Sequence, residues 1–210
     1  MTIHDPETGA DGARADVYRL LALTLAAPPS ASLLALLGGL SGDATPLGQA
    51  FDDLASRARD GDSQLVQARA EREFNALFIG VVQGELVPYA SYYRTGFLTD
   101  RPLAAVRADL QALGLERAPG VSEPEDHIAA LCEVMAVLIR EGADPAVQWH
   151  MLDSHLAPWA GRFFQDLERA ESADFYRPVG TVGRLFLQIE AEIRQEASAQ
   201  PNRMLEGTDA

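Results

Sequence analysis

Residues 122–140 read Ser-Glu-Pro-Glu-Asp-His-Ile-Ala-Ala-Leu-Cys-Glu-Val-Met-Ala-Val-Leu-Ile-Arg. Apolar side chains recur along this stretch at the spacing of one helical face: Ile128, Leu131, Cys132, Met135, Leu138 and Ile139. A stripe with this period is typical of a helix that packs one side against a core. The preceding residues, Ser122 to Glu125, have the pattern of a capping box, in which side-chain oxygens satisfy the free amides of a helix start. The sequence therefore predicts a buried helix that begins near Ser122.

Helical periodicity continues through most of the chain. Ala and Leu, which favour helices, are far more frequent than the β-branched residues Val, Ile and Thr. The other predicted helices cover, approximately, residues 12–27, 30–39, 46–59, 63–79, 102–113, 145–156, 158–170 and 174–197. We expect one all-α domain of about eight to ten helices over residues 11–197, between disordered tails at residues 1–10 and 198–210.

Proline and glycine predict where this regularity fails. Pro28 and Pro29 should end the first helix, because proline lacks an amide donor and restricts the residue before it. Pro178 and Gly180 predict an irregularity near the start of the last helix. Residues 80–101 lose the helical period and carry several glycines, so we expect a long irregular loop of the kind that often has a function.

Composition and charge exclude several classes of protein. The 210 residues include 17 Arg, no Lys and 31 acidic side chains, for a formal charge of −14. Such an acidic chain repels nucleic acids, since it offers no basic face to the phosphate backbone. No apolar stretch approaches the ~20 residues of a membrane span, and the polar start does not read as an export signal. The single Cys132 cannot form an internal disulfide, which favours a reducing compartment.

Motifs for catalysis, metal binding or cofactor binding are absent from the sequence. Cys132 lies within the apolar stripe, where a free cysteine behaves as a small hydrophobic residue. His150 and His155 are five residues apart, about 140° around an α-helix, so we expect them to lie on different faces and not to bind a metal. We predict no catalytic residue, no metal and no cofactor.

Two segments have an unusual composition. The first contains Tyr89, Tyr92 and Tyr93, which suit molecular recognition but would equally pin a loop to the core. The second is 123–127, Glu-Pro-Glu-Asp-His, at the predicted helix start. Carboxylates there would compensate the helix dipole, whereas a protonated His127 would be unfavourable. Composition alone leaves both interpretations of each segment open.

Several segments, in order and spacing, resemble the signature segments of the TorD/DmsD/NarJ family of redox-enzyme maturation chaperones. They are Tyr18-Arg19-Leu20-Leu21, Glu73-Phe74-Asn75-Ala76-Leu77-Phe78-Ile79-Gly80, Pro88-Tyr89-Ala90-Ser91-Tyr92-Tyr93, Glu123-Pro124-Glu125-Asp126-His127-Ile128 and Phe175-Tyr176. The resemblance implies an all-helical cytoplasmic chaperone that is not an enzyme. Its partner would be the molybdenum-containing catalytic subunit of an oxidoreductase, bound through its twin-arginine signal peptide or in its apo form. Such binding assists cofactor insertion and prevents premature export.

The resemblance also implies where the client peptide binds. The positions that match the family's binding segments are Pro88, Tyr89, Ser91, Tyr92, Glu123, Pro124, Asp126 and His127. Charge and hydropathy point the same way, because a twin-arginine signal joins a basic stretch to an apolar one. Carboxylates would meet the arginines, and apolar side chains would meet the apolar run. The candidates are Glu85, Glu123, Glu125 and Asp126 for the first role and Leu86, Val87, Tyr89 and Tyr92 for the second.

Other interpretations stay open at this point. The main alternative is a helical protein or enzyme that binds a nucleotide or the molybdenum cofactor, and a scaffold for another helical partner ranks third. The hinge-like segment 116–122 would permit either a monomer or a domain-swapped homodimer.

Overall fold

Ten α-helices make up the part of the chain described by a computed structural model, residues 9–81, 83–117, 120 and 122–199. They are α1 (Ala10–Ala26), α2 (Ala31–Gly38), α3 (Pro46–Ala58), α4 (Ser63–Phe74), α5 (Ala90–Thr95), α6 (Arg101–Ala112), α7 (Ile128–Arg140), α8 (Pro145–Met151), α9 (Ala160–Arg169) and α10 (Tyr176–Ala199). Helices α4 and α8 each continue into a π turn, Asn75–Ile79 and Leu152–Leu156. The all-α prediction is confirmed. Most of the tails predicted at residues 1–10 and 198–210, namely residues 1–8 and 200–210, lies outside the described residues, as does part of the predicted hinge, whereas α1 begins at Ala10 and α10 ends at Ala199.

Helix α7 and the long α1 pack along each other at the centre of the domain, and α10 crosses α1, α3 and α9. The predicted stripe on α7 is buried along its whole length, including Cys132. Opposite it lie Tyr18, Leu21 and Leu25 of α1, all nearly inaccessible to solvent. Each large side chain buried here stabilises the folded protein by about 1.5–3 kcal/mol, so this interface forms the main core.

A buried ion pair joins α1 to α10 inside this core. The Glu190 carboxylate is fully buried and accepts from Nε of Arg14 at 2.7 Å and from Nη2 of Arg14 at 3.0 Å. It also accepts from the Tyr18 hydroxyl at 3.0 Å. Because every oxygen of the carboxylate has a partner, the charge is tolerated in the interior. Burial and the neighbouring Glu190 charge raise the pKa of Tyr18 well above its usual value.

The start of α10 is capped from α4. The Glu73 carboxylate accepts from the backbone amides of residues 174, 175 and 176 at 2.8, 3.0 and 2.7 Å. Contrary to the prediction, α10 runs without interruption past Pro178 and Gly180. Pro178 lies in the first turn, where the amide that proline lacks has no partner within the helix. Burial raises the pKa of Glu73, against the effect of its three amide bonds.

Glycines on α10 bring it close to α9. A Cβ atom added at Gly183 would lie 2.3 Å from the ring of Phe164, and one at Gly180 would lie 2.9 Å from a backbone oxygen of α9. No real side chain tolerates such approaches. The two helices therefore owe their close packing to the absence of a side chain at these positions.

Two predictions about the middle of the chain are wrong. Helix α7 begins at Ile128 and not at Ser122, because residues 124–127 form a hydrogen-bonded turn that leads into the β-bridge described below. The segment 80–101 is not irregular throughout, since α5 occupies Ala90–Thr95. A helix of only six residues leaves too short a pattern for periodicity to detect.

Candidate functional site

A short antiparallel β-bridge connects the two segments of unusual composition. Tyr89 pairs with His127, the Ile128 amide donates to the Pro88 carbonyl at 2.9 Å, and the Ala90 amide donates to the Asp126 carbonyl at 3.0 Å. Helices α5 and α7 begin directly after the paired residues. The two segments, separated by more than thirty residues in sequence, thus form one structural unit.

Asp126 is a buried structural acceptor. Its side chain is 1% exposed, and Oδ2 accepts from the Ser91 amide at 2.8 Å, in the first turn of α5. The Ser91 side chain is also buried, and its hydroxyl accepts from the Asp100 amide at 3.3 Å. A carboxylate at this position satisfies a free amide and compensates the local dipole. The buried Asp126 and Ser91 therefore orient α5.

His127 is the N-cap of α7. Its Nδ1 accepts from the Ala129 amide at 3.1 Å, so the ring must be neutral. Burial lowers the pKa of His127 to about 4, although the nearby charges of Glu123 and Asp126 act in the opposite direction. The ring packs edge-on against Tyr89 with 5.0 Å between centroids. The conflict between a helix start and an imidazolium does not arise, because the imidazole carries no charge at neutral pH.

The carboxylates just before α7 lie nearer the surface. Glu123 is exposed and accepts from the Tyr89 hydroxyl, and burial together with this bond raises the pKa of Tyr89 above its usual value. Glu125 accepts from Nε of Arg107 at 2.8 Å, and Nε of Arg117 lies 4.0 Å from the other carboxylate oxygen of Glu125. Burial opposes ionisation of Glu125, but a backbone hydrogen bond and the arginines together hold its pKa below the usual range.

The loop between the π turn and the bridge is anchored at both ends. Gly80 has φ +63°, and a Cβ there would lie 2.0 Å from the Gln83 carbonyl oxygen, so the turn requires glycine. Further on, the Glu85 carboxylate accepts from the amides of Glu171 and Ser172 at 2.6 and 3.1 Å. These bonds lower the pKa of Glu85 despite partial desolvation. Glu85 thus fastens the loop to the turn between α9 and α10.

A surface cavity of about 480 Å³ opens between this loop, α5 and α9. It is lined by Gln83, Glu85, Leu86, Val87, Tyr92, Tyr93, Arg94, Gly96, Arg162 and Asp166. The walls combine apolar and charged groups of both signs. On the floor, the Tyr93 hydroxyl donates to Asp166 at 3.0 Å, and the guanidinium of Arg162 lies over the Tyr93 ring at 5.9 Å.

Large apolar side chains are exposed along the segment that leads away from the cavity. Tyr92 projects from α5, and Phe97 and Leu98 follow Gly96, with Phe97 71% exposed. Exposed aromatic and aliphatic groups beside a mixed cavity are typical of a protein-binding surface. We call Tyr92, Phe97 and Leu98, together with the cavity, the loop surface.

The structure separates the eleven predicted site residues into two adjoining groups. Glu85, Leu86 and Tyr92 line the cavity. The remaining eight belong to the bridge, to the first turn of α5 or to the stretch before α7: Pro88, Tyr89, Ser91, Glu123, Pro124, Glu125, Asp126 and His127. Sequence reasoning missed Arg94, Arg162 and Asp166. The last two lie one turn apart on α9, and no local signal connects that helix with the loop.

Comparison with known proteins relates this architecture to a family. Residues 41–165, which include α3 to α9 in part or whole and the bridge, match the nitrate reductase delta subunit family. The chain belongs to this family. The predicted resemblance to TorD/DmsD/NarJ proteins is thereby confirmed.

Relatives of this delta-subunit-family protein include curated chaperones. It is 31% identical to the chaperone protein TorD of Salmonella bongori over 106 residues, which cover 50% of this chain and 48% of that protein. It is 25% identical to the TorD of Vibrio cholerae over 178 residues, covering 80% and 81% of the two chains. The Tat proofreading chaperone DmsD of Salmonella typhi is 29% identical over 128 residues, covering 60% and 62%. These names are those of chaperones and not of enzymes.

The fold of this delta-subunit-family protein has a solved counterpart. A proposed redox enzyme maturation protein from Archaeoglobus fulgidus superposes with a TM-score of 0.58 and 22% sequence identity, covering 83% of this chain and 93% of that one. At this identity the likeness concerns the fold. Among the described residues, none of the helices has the length and apolar character that crossing a bilayer requires.

Proposed function

We propose that this protein is a cytoplasmic chaperone that binds a molybdenum-containing oxidoreductase, in its apo form or through its twin-arginine signal peptide. Membership of the delta subunit family and the names of the relatives support a chaperone role. The observation that carries the proposal to a site is the cavity of about 480 Å³ with exposed Tyr92 and Phe97 beside it.

The chemistry of the loop surface fits a peptide with a basic and an apolar part. The apolar part lies along Tyr92, Phe97 and Leu98, where burial of exposed apolar area drives association. The guanidinium groups meet carboxylates that remain accessible, Asp166 in the cavity and Glu123 in the adjoining stretch before α7. Bidentate pairing favours arginine over lysine at such a carboxylate. The charge of −14 attracts the basic segment during encounter.

The bridge supplies the rigidity that this surface needs. Asp126, His127, Pro88 and Ser91 are buried, and their hydrogen bonds determine where α5 begins and hence where Tyr92 points. Their role in binding is to position the exposed groups. Substituting them would change stability and affinity together, so the exposed side chains are the cleaner test.

Peptide binding by exposed-residue variants tests the proposal. The probe is a fluorescein-labelled peptide with two consecutive arginines followed by a Leu- and Ala-rich run, and binding is measured by fluorescence anisotropy. Tyr92→Ala and Phe97→Ser should each weaken binding by about 5–10-fold, or about 1–1.4 kcal/mol. Leu65→Ser is the matched control, because Leu65 is 64% exposed, close to the 71% of Phe97, but lies on α4. Unchanged affinity in both loop-surface variants would contradict the site.

A second measurement concerns the arginine pair. Replacing both arginines of the probe by lysines preserves its charge but removes bidentate geometry, so affinity should fall severalfold.

Co-purification from native cytoplasm, followed by mass spectrometry, identifies the client. Recovery of an oxidoreductase subunit only when its N-terminal signal is intact supports the proposal, whereas turnover of a small molecule without a client supports an enzyme.

A further inference from the structure

Three potential metal ligands converge on the side of the domain where α6 meets α8. Nε2 of His150 lies 2.9 Å, and Nε2 of His155 lies 2.6 Å, from the same oxygen of Asp109. One nitrogen or oxygen atom from each of the three side chains lies within 4.8 Å of the others. Asp109 comes from α6, His150 from α8 and His155 from the π turn that follows α8.

The π turn is what brings the two histidines together. On a regular α-helix, residues five apart point about 140° away from each other, as the sequence prediction assumed. Over Leu152–Leu156 the backbone instead forms hydrogen bonds between residues five apart, such as that from the Ala157 amide to the Leu152 carbonyl at 2.8 Å. The extra residue in this turn places both imidazoles toward Asp109, with 6.1 Å between ring centroids. The prediction that they lie on different faces is therefore wrong.

His155 is the buried member of this cluster. The His155 side chain is 2% exposed, and its Nδ1 has no hydrogen-bond partner among the described residues. An ion between the three side chains would be bound through Nε2 of both imidazoles, the atoms that face Asp109, while Nδ1 of His155 lies on the far edge of its ring.

The chemistry of these ligands selects the class of ion. Two imidazole nitrogens and one carboxylate oxygen suit borderline divalent ions such as Zn²⁺, whereas Mg²⁺ and Ca²⁺ prefer oxygen ligands. We propose that Asp109, His150 and His155 bind one Zn²⁺-type divalent ion, with a fourth position open to solvent.

Access and adjustment are both feasible at this site. The His150 side chain is 56% exposed and Asp109 is 32% exposed, so an ion enters from solvent. Zinc bonds of about 2.0–2.2 Å to nitrogen and oxygen require the ligand atoms to separate from hydrogen-bonding distance to about 3.3 Å. Rotation of the exposed His150 provides this space. A neutral imidazole that hydrogen-bonds through its Nε2 proton must carry that proton on Nδ1 instead to coordinate through Nε2, and only an imidazolium releases a net proton to solvent as the ion binds.

The test is metal titration of the untagged full chain. Co²⁺ should produce visible d–d absorption that saturates at one ion per chain, and added Zn²⁺ should displace it. His150→Ala should lower Zn²⁺ affinity in calorimetry at least about tenfold while leaving the circular dichroism spectrum unchanged, since His150 is exposed. The matched control is His4→Ala, which removes an imidazole that is not one of the three ligands and should leave affinity unchanged.

A second variant separates a metal site from a hydrogen-bonded cluster. Asp109→Asn keeps an oxygen that can accept a hydrogen bond but removes the charge, so it should weaken zinc binding and abolish any rise in Tm on adding zinc. The wild type should show that rise. Absence of saturable Co²⁺ absorption, or wild-type affinity in His150→Ala, would overturn the proposal.

Discussion

His127 makes the stability of the protein depend on pH in a predictable direction. Its ring is neutral because Nδ1 accepts from the α7 amide and because the side chain is buried. In the unfolded chain the same imidazole titrates near 6.5, whereas burial lowers the pKa in the folded protein to about 4. Below pH 6.5 the unfolded state therefore binds a proton that the folded state does not. The contribution of neutral His127 to the free energy of unfolding is present above the unfolded-state pKa of 6.5 and is lost as the pH falls toward 4.

The two pKa values set the size of the effect. Proton linkage between 6.5 and about 4 gives a loss of about 1 kcal/mol between pH 7 and pH 5.5, and of about 2 kcal/mol by pH 5.0. The limiting loss below pH 4 is about 3 kcal/mol. For a protein of ordinary stability this is a substantial fraction of the total.

The assay compares the wild type with His127→Asn. Asparagine is a good N-cap residue and keeps an acceptor for the Ala129 amide, but it does not titrate. Urea unfolding at several pH values from 7.5 to 5.0 gives the free energy of unfolding of both proteins. The free energy of unfolding of the wild type should fall by about 2 kcal/mol relative to that of His127→Asn over this range, since all other titrating groups are shared.

Parallel pH profiles for the two proteins would refute the argument. They would mean that His127 titrates normally in the folded state and is not a buried neutral cap. An NMR titration of the His127 ring provides an independent check, because its folded-state midpoint should lie well below that of an exposed histidine.

Two further predictions concern the core. Glu190→Ala should destabilise the protein by about 3–5 kcal/mol, because the buried Arg14 guanidinium keeps only the exposed Asp11 as an ionic partner and the Tyr18 hydroxyl loses its acceptor. Glu192→Ala on the exposed side of α10 should change stability little. Both are measured by urea unfolding, and similar values for the two variants would contradict this reasoning. Gly183→Ala should cost about 1–3 kcal/mol, since the new methyl meets the ring of Phe164 on α9 at 2.3 Å. Gly161→Ala, with open space around its Cβ, should be neutral or should raise the Tm slightly in thermal denaturation, and the reverse order would be evidence against close packing of α9 on α10.

Periodicity predicted the helices well because each long helix buries one face. The stripe on α7 and the end of α1 before Pro28 follow from local chemistry, so the sequence reveals them directly. The same holds for the cap of α2, where Ser30 accepts from the Leu33 amide at 3.2 Å. Such features depend on residues within one or two turns of each other.

The start of α7 was mispredicted because tertiary contacts compete with the local signal. Ser122 and Glu125 have the residue types of a capping box, but the Asp126 carbonyl and the Ile128 amide are paired with the segment that begins at Pro88. Residues 124–127 form a turn, closed by the bond from the His127 amide to the Pro124 carbonyl at 3.1 Å, and the helix starts only after His127, which caps it. No local pattern reveals a partner more than thirty residues away.

The candidate site was predicted in part for the same reason. Two tyrosine- and acid-rich segments stood out by composition, and the structure joins them at the bridge. The wall that α9 adds to the cavity, through Arg162 and Asp166, arises only from tertiary packing. The π turn after α8 was equally invisible, since a single extra residue per turn alters the phase of a helix without changing its composition.

The cap on α10 changes how the family's signature segments should be read. The carboxylate of Glu73 holds the backbone amides of residues 174–176, and Tyr176 in turn packs its ring against Phe78, with 5.6 Å between centroids. The signature segment that contains Glu73 and Phe78 and the signature segment Phe175-Tyr176, about a hundred residues apart, therefore contact each other in the fold. A distant homologue that retains Glu73 but alters the backbone opposite it would bury a carboxylate without donors. In judging whether such a chain shares this fold, the pair is the unit to look for, and either half alone says much less.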